Sequence, residues 1–551
     1  MRNTRLTHAR RIAACTAIAI AAGTLLSTPA LAEDKGPGAP KAAAAKIKPR
    51  FDWDGDGKGD IVYRNAAGVI TTLSGGGAVD TAPLVLDNPH ADIKSLLTPG
   101  DLTGDGKPDV LWTDSVGNLY ALTGGGPQAG AQAYKRLSSG WNMYDAVVAA
   151  GDLTGDGKND VLARTATGDV YLFPGTGNVD SPFGERTKVA TAWDDYDQIV
   201  GVADADGDGI GDVYVRTRAD DLLFIGGTGD AAKPFKAPVE LGAGWHSYNQ
   251  LLTADDTDGD GISDLLARTR DGRLYTYKGL GNGRFGTPAV TASGWQAAFV
   301  LGNAGGHQAV GKNVLVTADP AGRNETRTVT NDGQFTNSVP WESPQSGRTT
   351  VAVANSLSDS GEATRLQTQN GELWVDHFGR PATSLGKGWD AYTSLVGPGD
   401  VNGDGHNDLL ARDKAGVLWQ YLGDGSGTKF SAPQRLGAGW NAYNKLVGSG
   451  DINGDGKADL LARDTNGHLW LYPGTSDIAT PFGVRKDLGA GWNSFTKLAA
   501  VADATGNGTT DLIAVDGSGA GKLYDGQGAY GGKFKPAYSL GGGWDAYTEL
   551  F

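Results

Sequence analysis

A nine-residue stretch, Asp451, Ile452, Asn453, Gly454, Asp455, Gly456, Lys457, Ala458, Asp459, returns along the chain about every 50 residues, and it restricts the possible folds more than any other feature. Matching stretches begin at Asp52, Asp101, Asp152, Asp204, Asp256, Asp400, Asp451 and Asp503. A period of this size implies one supersecondary unit per copy, each stacked on its neighbours.

The stretch offers oxygen ligands only. Asp204, Asp206, Asp208 and Asp212 carry carboxylates at loop positions one, three, five and nine, while Gly207 and Gly209 let the backbone curl so that they converge. Hard oxygen donors on a flexible loop suit calcium, whereas zinc or copper would call for His or Cys. A single copy reads equally well as a metal-free Gly/Asp turn. Eight copies favour calcium, because converging carboxylates repel one another without a cation.

The expected calcium ligands are therefore Asp52, Asp54, Asp56 and Asp60; Asp101, Thr103, Asp105 and Asp109; Asp152, Thr154, Asp156 and Asp160; and Asp204, Asp206, Asp208 and Asp212. They continue with Asp256, Asp258, Asp260 and Asp264; Asp400, Asn402, Asp404 and Asp408; Asp451, Asn453, Asp455 and Asp459; and Asp503, Thr505, Asn507 and Asp511. Thr or Asn at position three lowers the charge in five of these loops, so the loops at Asp52, Asp204 and Asp256 are expected to be the strongest. An EF-hand is excluded. It needs a bidentate Glu at position twelve and flanking helices, but here the loop runs straight into short aliphatic strands such as Asp160 to Arg164 and Asp459 to Arg463.

The N-terminus reads as a cleaved secretory signal over 1–32. Arg2, Arg5, Arg10 and Arg11 precede an apolar run from Ile12 to Leu26, and Ala30, Leu31 and Ala32 form a small-x-small cleavage site. Arg10 and Arg11 leave the twin-arginine route open beside the general one. Cys15, the one cysteine of the chain, lies inside the leader, so no disulfide is expected in the mature, extracellular protein. The chain has a formal charge of -15 before the basic leader is lost. That excludes a basic nucleic-acid footprint, and no second apolar run reaches the ~20 residues of a membrane span. Residues 33–50, rich in Pro, Ala and Lys, read as a flexible lead, with order beginning at Phe51.

The complete unit is clearest from Trp440 to Tyr472. A Gly-Trp strand with Tyr443 and Leu446 leads into the loop; Asp459 to Arg463 follow, then a turn ending at Gly467, then His468 to Tyr472, then a Gly-rich hairpin and a last strand near Leu488. Four short strands with period-two alternation in about 50 residues make an antiparallel propeller blade. The aromatic mark recurs at Trp141, Trp193, Trp245, Trp295, Trp389, Trp440, Trp492 and Trp544. Between Gly302 and Arg380 the acidic loop is lost, although strand-like runs persist at Asn313 to Thr317 and Glu372 to Val375 and the spacing still fits around Asn303 and Asn355.

The expected fold is thus an all-β propeller of ten blades, eight of them with a cation loop. Ten exceeds the four to eight of one ring, and a Gly-Trp strand sits at the midpoint, from Trp295 to Leu301. Two five-bladed rings over 51–301 and 302–551 are the preferred division; one larger ring of seven or more blades is the alternative. The ordered chain begins at a loop with no Gly-Trp strand before it and ends with one, Trp544 to Phe551, so the C-terminal strand is expected to complete the blade begun at Phe51.

The cation loops followed by strands resemble the FG-GAP/VCBS repeats shared with the integrin alpha-chain propeller, a resemblance that implies calcium in the nine-residue loops. The strand from Gly437 to Leu446, with Gly467 to Trp470 after it, resembles tachylectin, a five-bladed lectin with a shorter repeat and no cation loop. That second resemblance implies five-fold rings and binding of N-acetylated sugars.

A monomeric, non-catalytic binding module is the expected function, with carbohydrate as the ligand, since aromatic faces stack on sugar rings and repeated sites gain avidity. The same Trp series also reads as inter-blade core. Arg64, Arg164, Arg216, Arg268, Arg412 and Arg463 each fall four residues after the last loop Asp and are expected to ladder with Asp413 and Asp464 rather than to bind glycan. An extracellular hydrolase or lyase is the less favoured class, because His90, His246, His307, His377, His406 and His468 are scattered and none accompanies a nucleophile motif. A protein-binding or adhesion scaffold is the third, with the divergent stretch 302–380 as its contact surface.

Overall fold

The computed structural model describes residues 48–551 apart from 66–69, 75–92, 115–116, 124–133, 166, 270, 296–297, 307–313, 330–332, 336–337, 342–346, 355–356, 358–362, 378–380, 506–508, 527–533 and 535–536. The leader, most of the 33–50 lead, Asn507, His90, His307 and Asn355 therefore lie outside the described residues.

One blade shows why the repeat folds as it does. Tyr443–Gly450, Asp459–Asp464, Leu469–Tyr472 and Lys486–Asp487 pair antiparallel in chain order. Leu469 and Leu471 are buried while Trp470 and Tyr472 are half-buried, the alternation of a sheet with two unlike faces. The middle strand is buried through Leu460, Leu461 and Ala462, because neighbouring blades cover both of its faces. The Gly-Trp segment departs from the expected strand: Trp440–Ala442 is one turn of 3₁₀ helix, entered through Gly439 at φ 96°. Only a residue without Cβ takes that conformation cheaply, which is why Gly precedes Trp in almost every copy.

Among the described residues there are ten sheets, nine of four strands and one of three, the last made by Ala298–Leu301, Ile61–Asn65 and Ile70–Leu73. Ring closure is where the expectation fails. The strand Ala298–Leu301 pairs with Ile61–Asn65, placing Leu301 opposite Tyr63, and the C-terminal strand Glu549–Leu550 pairs with Val314–Ala318, placing Leu550 opposite Thr317. Each ring is closed by its own last strand on its own first blade. The two candidate closing strands share one sequence pattern, so the pattern alone could not say which edge each would meet.

The packing follows the same two circuits. Buried clusters join adjacent blades around ring 1, from Val62 with Leu96, through Leu97 with Val147, Val148 with Val213 and Val200 with Leu251, to Leu252 with Ile61. Ring 2 closes likewise through Leu315 with Val501. One junction in ring 2 is thin: among the described residues Val316, Trp341, Val353 and Ala363 form the buried cluster between its first two blades, against twelve side chains between its last two.

Ring 1 is plugged along its axis by segments at both ends of its own chain. Residues 302–306, assigned above to the second ring, run through the ring 1 channel: Asn303 N–H reaches Leu96 O at 3.0 Å, Gly305 O accepts from Ile199 N–H at 2.7 Å, and bridges form between Leu252 and Ala304 and between Gln198 and Gly306. At the loop-bearing mouth Arg50 donates to Ala149 O at 2.6 Å, Gly201 O at 2.8 Å and Asp255 at 2.7 Å. Order therefore extends into the supposed lead, and Asn303 belongs to a plug instead of a degenerate loop.

Candidate metal loops and the second-ring cavity

The seven acidic loops from Asp52 to Asp451 are each built on two glycines in the left-handed region, for example Gly207 at φ 78° and Gly209 at φ 88°. Their N–H groups turn inward onto the first carboxylate: Gly207 and Gly209 donate to Asp204 at 2.6 and 3.0 Å, Gly259 and Gly261 to Asp256 at 2.7 Å each, and Gly403 and Gly405 to Asp400 at 2.6 and 2.7 Å. The same two bonds hold Asp52, Asp101, Asp152 and Asp451.

The last Asp of the loop has a role that spacing did not reveal. Its carboxylate ties the loop to the exit of the third strand. Asp212 accepts from Ala205 N–H and from Gly227 N–H, both at 2.8 Å, and Asp459 from Ile452 N–H at 3.1 Å and Gly474 N–H at 2.8 Å. Asp160, Asp264, Asp408 and Asp511 make the same tie to Gly175, Gly279, Gly423 and Gly526. Asp60 and Asp109 accept the corresponding loop bond from Trp53 and Leu102. Asp54, Asp56, Asp105, Asp156, Asp208, Asp258, Asp260 and Asp404 are exposed, and Asp455 is half-buried.

The donor set fits a hard divalent cation. Carboxylate oxygens of Asp52, Asp54 and Asp60, of Asp204, Asp206 and Asp212, and of Asp256, Asp258 and Asp260 converge within 4.8 Å of one another. These are the three loops with Asp at position three. Where that position is Asn or Thr, the Thr103 and Thr154 hydroxyls donate to Asp101 and Asp152, whereas Asn453 Oδ1 and Thr505 Oγ1 are buried without a hydrogen-bond partner. Leaving such atoms unpaired is costly, and a cation in the loop would satisfy both. Lys236 Nζ lies 3.1 Å from Asp206 and 2.6 Å from Asp208, and Lys278 bridges Asp258 and Asp260, so single ammonium groups already offset part of the charge. Such half-exposed pairs are worth only about 0–1 kcal/mol.

Burial, more than any neighbour, shifts these acids. It pushes Asp212 and Asp408 up to about 7 and Asp160 and Asp264 up to about 6, with nearby loop carboxylates adding to the shift in Asp160, Asp212, Asp264 and Asp408. Asp459 and Asp511 are raised further, by burial and then by Asp455 and Asp525 respectively.

The repeated Arg and Trp residues bind blade to blade. Arg216 pairs with Asp197 at 2.7 Å and donates to Tyr248 O at 2.7 Å and Trp245 O at 3.2 Å in the next blade. Arg164, Arg268, Arg412 and Arg463 make equivalent bonds to the following Gly-Trp turn. The expected ladder is not formed: Asp413 and Asp464 instead accept Trp419 and Trp470 Nε1–H, each at 2.9 Å. Trp141, Trp193, Trp245, Trp295, Trp492 and Trp544 are buried and pack against neighbouring aromatics in tilted or edge-on contacts, as Trp245 does on Tyr277 with ring centres 4.9 Å apart. Trp389 and Trp440 alone in the series are half-buried.

Among the described residues nothing plugs ring 2 as residues 302–306 plug ring 1. A cavity of about 2080 Å³ combines the axial channel of ring 2 with the gap at the thin junction between its first two blades. Trp389 and Tyr392 reach it from one side, Arg348, Arg365 and Gln367 from the other. Arg365 is buried, bonding Asp376 and Asn324 Oδ1; Gln367 Oε1 is buried without a partner; and the Arg348 guanidinium lies 3.6 Å from the Trp374 ring centre. Thr364 takes the place of the last loop Asp, accepting Leu357 N–H at 3.0 Å as Asp408 accepts Val401 N–H at 2.9 Å. Arg365 and Gln367 then stand where the regular blade has Leu409 and Ala411. Polar groups have replaced the inter-blade core, and the gap follows. His246, His406 and His468 sit in three different blades, the last beside Asp487 at 3.1 Å.

Residues 101–163, 400–462 and 451–514 match the FG-GAP-like repeat. No curated protein matches the chain. Among solved structures, similarity extends to an Agrocybe aegerita lectin that recognises non-reducing terminal N-acetylglucosamine, at 16% identity over 89% of this chain and 91% of that one, with a TM-score of 0.21. The BP39L lectin of Burkholderia pseudomallei aligns at 11% identity over 72% and 99% of the two chains, with a TM-score of 0.27, and BBS1N in complex with ARL6DN at 14% over 63% and 98%, with a TM-score of 0.22.

Proposed function

We propose that this chain, a β-propeller with FG-GAP-like repeats, is a secreted, calcium-stabilised, non-catalytic binding module whose ligand is carbohydrate. The observation that carries the reading is the ring 2 cavity, placed where the repeat gives up its apolar core and lined by half-buried aromatics beside amides and guanidinium groups. That combination suits a sugar, whose apolar face stacks on an aromatic ring while its hydroxyls bond planar polar groups. Calcium has a separate task. It offsets the loop carboxylates and so holds the strands of each loop-bearing blade in register, which makes it a resident structural ion. Among the described residues no helix is long and apolar enough to cross a membrane, and the leader supplies the export route.

The test is a glycan array run with the mature chain and with a Trp389→Ala variant, each with and without calcium. Selective binding by the mature chain that the variant loses supports the reading. A blank array, with a protein partner captured through residues 314–380, would move the function to an adhesion scaffold.

A further inference from the structure

Ring 2 presents its cation loops to the far face of ring 1. In ring 1 the loops lie at one end of the inner strands; Arg218, in a turn, and Asn249, at the start of a strand, lie at the other. Two bonds cross between the rings from that far face: Arg218 Nη2 donates to Gly454 O at 3.0 Å, and Asn249 Nδ2 donates to Thr505 O at 2.9 Å. Both acceptors belong to acidic loops, those beginning at Asp451 and Asp503.

These two loops differ from the rest. Residues 451–454 are all buried, as are Ala504 and Thr505, whereas the loops at Asp52, Asp101, Asp152 and Asp400 bury only the second of their first four residues. In both, the position-three oxygen, Asn453 Oδ1 or Thr505 Oγ1, is buried without a hydrogen-bond partner. Thr505 therefore faces two ways, its hydroxyl into the loop and its carbonyl onto Asn249. In the other loop the roles fall on consecutive residues, Asn453 inward and Gly454 onto Arg218. A cation that fixed the inward atoms would fix the outward carbonyls with them. Asn249 is itself held, accepting from Arg268 Nε at 3.2 Å, so the register of the loop is passed into the core of ring 1.

We propose that calcium in the Asp451 and Asp503 loops fastens ring 2 to ring 1, with Arg218 and Asn249 as the positioning residues that read the occupied loops. The inference rests on the calcium reading above and adds a distinct function for two of the sites: the others brace blades, and these set the relative orientation of the rings. The linker through ring 1 keeps the rings together in either state, so the switch acts on orientation and exposure without dissociation. By linkage the effect is reciprocal: whatever calcium does to the junction, the junction does to calcium affinity.

The experiment uses the full mature chain, the double variant Arg218→Ala/Asn249→Ala, and Asp400→Asn as a loop variant away from the junction. Calcium alone is titrated by calorimetry, and solution scattering is followed with calcium and with chelator. Chelation is expected to enlarge the radius of gyration. The double variant is expected to weaken two of the calcium sites at least fivefold while the remainder keep their affinity, and Asp400→Asn is expected to leave the radius of gyration in calcium unchanged. Calcium binding that ignores the double variant, or scattering that ignores calcium, overturns the fastening and leaves the calcium reading standing. Absence of calcium binding overturns both. If the double variant does not fold, the comparison of calcium with chelator in the unsubstituted chain still decides.

Discussion

Arg50→Ala should cost ring 1 far more than the loss of a residue at the edge of a lead. Arg50 is 5% exposed and Asp255 2% exposed. The guanidinium donates to both Asp255 oxygens, at 2.7 and 2.8 Å, and to carbonyls of two further blades, and the Arg50 N–H adds a bond to Asp255 at 2.9 Å. Burial alone pushes the Asp255 carboxyl up; the charge and hydrogen bonds of Arg50 outweigh it and hold the pKa below the usual carboxylate value. Removing the cation leaves that carboxylate buried with Ala203 N–H as its remaining bond from another blade. Breaking a buried pair in this way costs about 3–5 kcal/mol. For a ring of this size each kcal/mol moves the midpoint by about 2–4 °C, so thermal unfolding of the mature chain, followed by calorimetry, should show the ring 1 transition falling by roughly 6–20 °C. Because a depressed pKa contributes stability above the unfolded value, the intact pair loses its contribution only as pH falls through the folded pKa. The variant should show the reverse, improving as acid protonates Asp255. Arg50→Ala/Asp255→Asn should recover much of the loss. A loss below about 1 kcal/mol, or a double variant worse than the two single changes together, would refute the reasoning.

Three other outcomes follow from the same geometry. In chelator, Asp212 and Asp408, raised to about 7, and Asp160 and Asp264, raised to about 6, bind protons in the folded chain that the unfolded chain has already released. Metal-free stability should therefore fall as pH rises from about 4 to 7, and the melting temperature gained on adding calcium should be greatest above that window. Deleting 544–551 should bare the edge of Val314–Ala318 and cause aggregation through ring 2, while a fragment of residues 48–306, which keeps the closing strand and the plug, should be soluble and calcium-responsive. Arg216→Lys should lower the melting temperature, because one ammonium cannot replace a buried fork that bonds Asp197, Trp245 O and Tyr248 O together; a melting curve equal to that of the unsubstituted chain would show that the inter-blade tie is not needed.

The loop and the blade were legible because each is written locally: alternating glycines set the left-handed turns, and period-two runs set the strands. Features that depend on distant partners were not. Ring closure turned on which of two like Gly-Trp strands meets which edge. The Arg series reads as a ladder only if neighbours in sequence are taken as neighbours in space, whereas Arg412 reaches Tyr443 O across a blade boundary. The plug at 302–306 kept the spacing of a blade while abandoning its chemistry. One signal for it was present: Asp255 gives the fifth loop a second leading Asp, absent from every other copy, and that extra carboxylate is the partner of Arg50. The ring 2 cavity was foreshadowed by Arg365 and Gln367 at positions where other blades place Leu and Ala.

The claim beneath all of this is that the acidic loops hold calcium, and counting the ions tests it most directly. The mature chain, stripped with chelator and titrated with calcium by calorimetry, should bind at least three ions, one for each loop in which three carboxylates converge, with a melting temperature that climbs as they bind. Fewer than one ion per chain, together with a melting curve indifferent to calcium, would contradict the account.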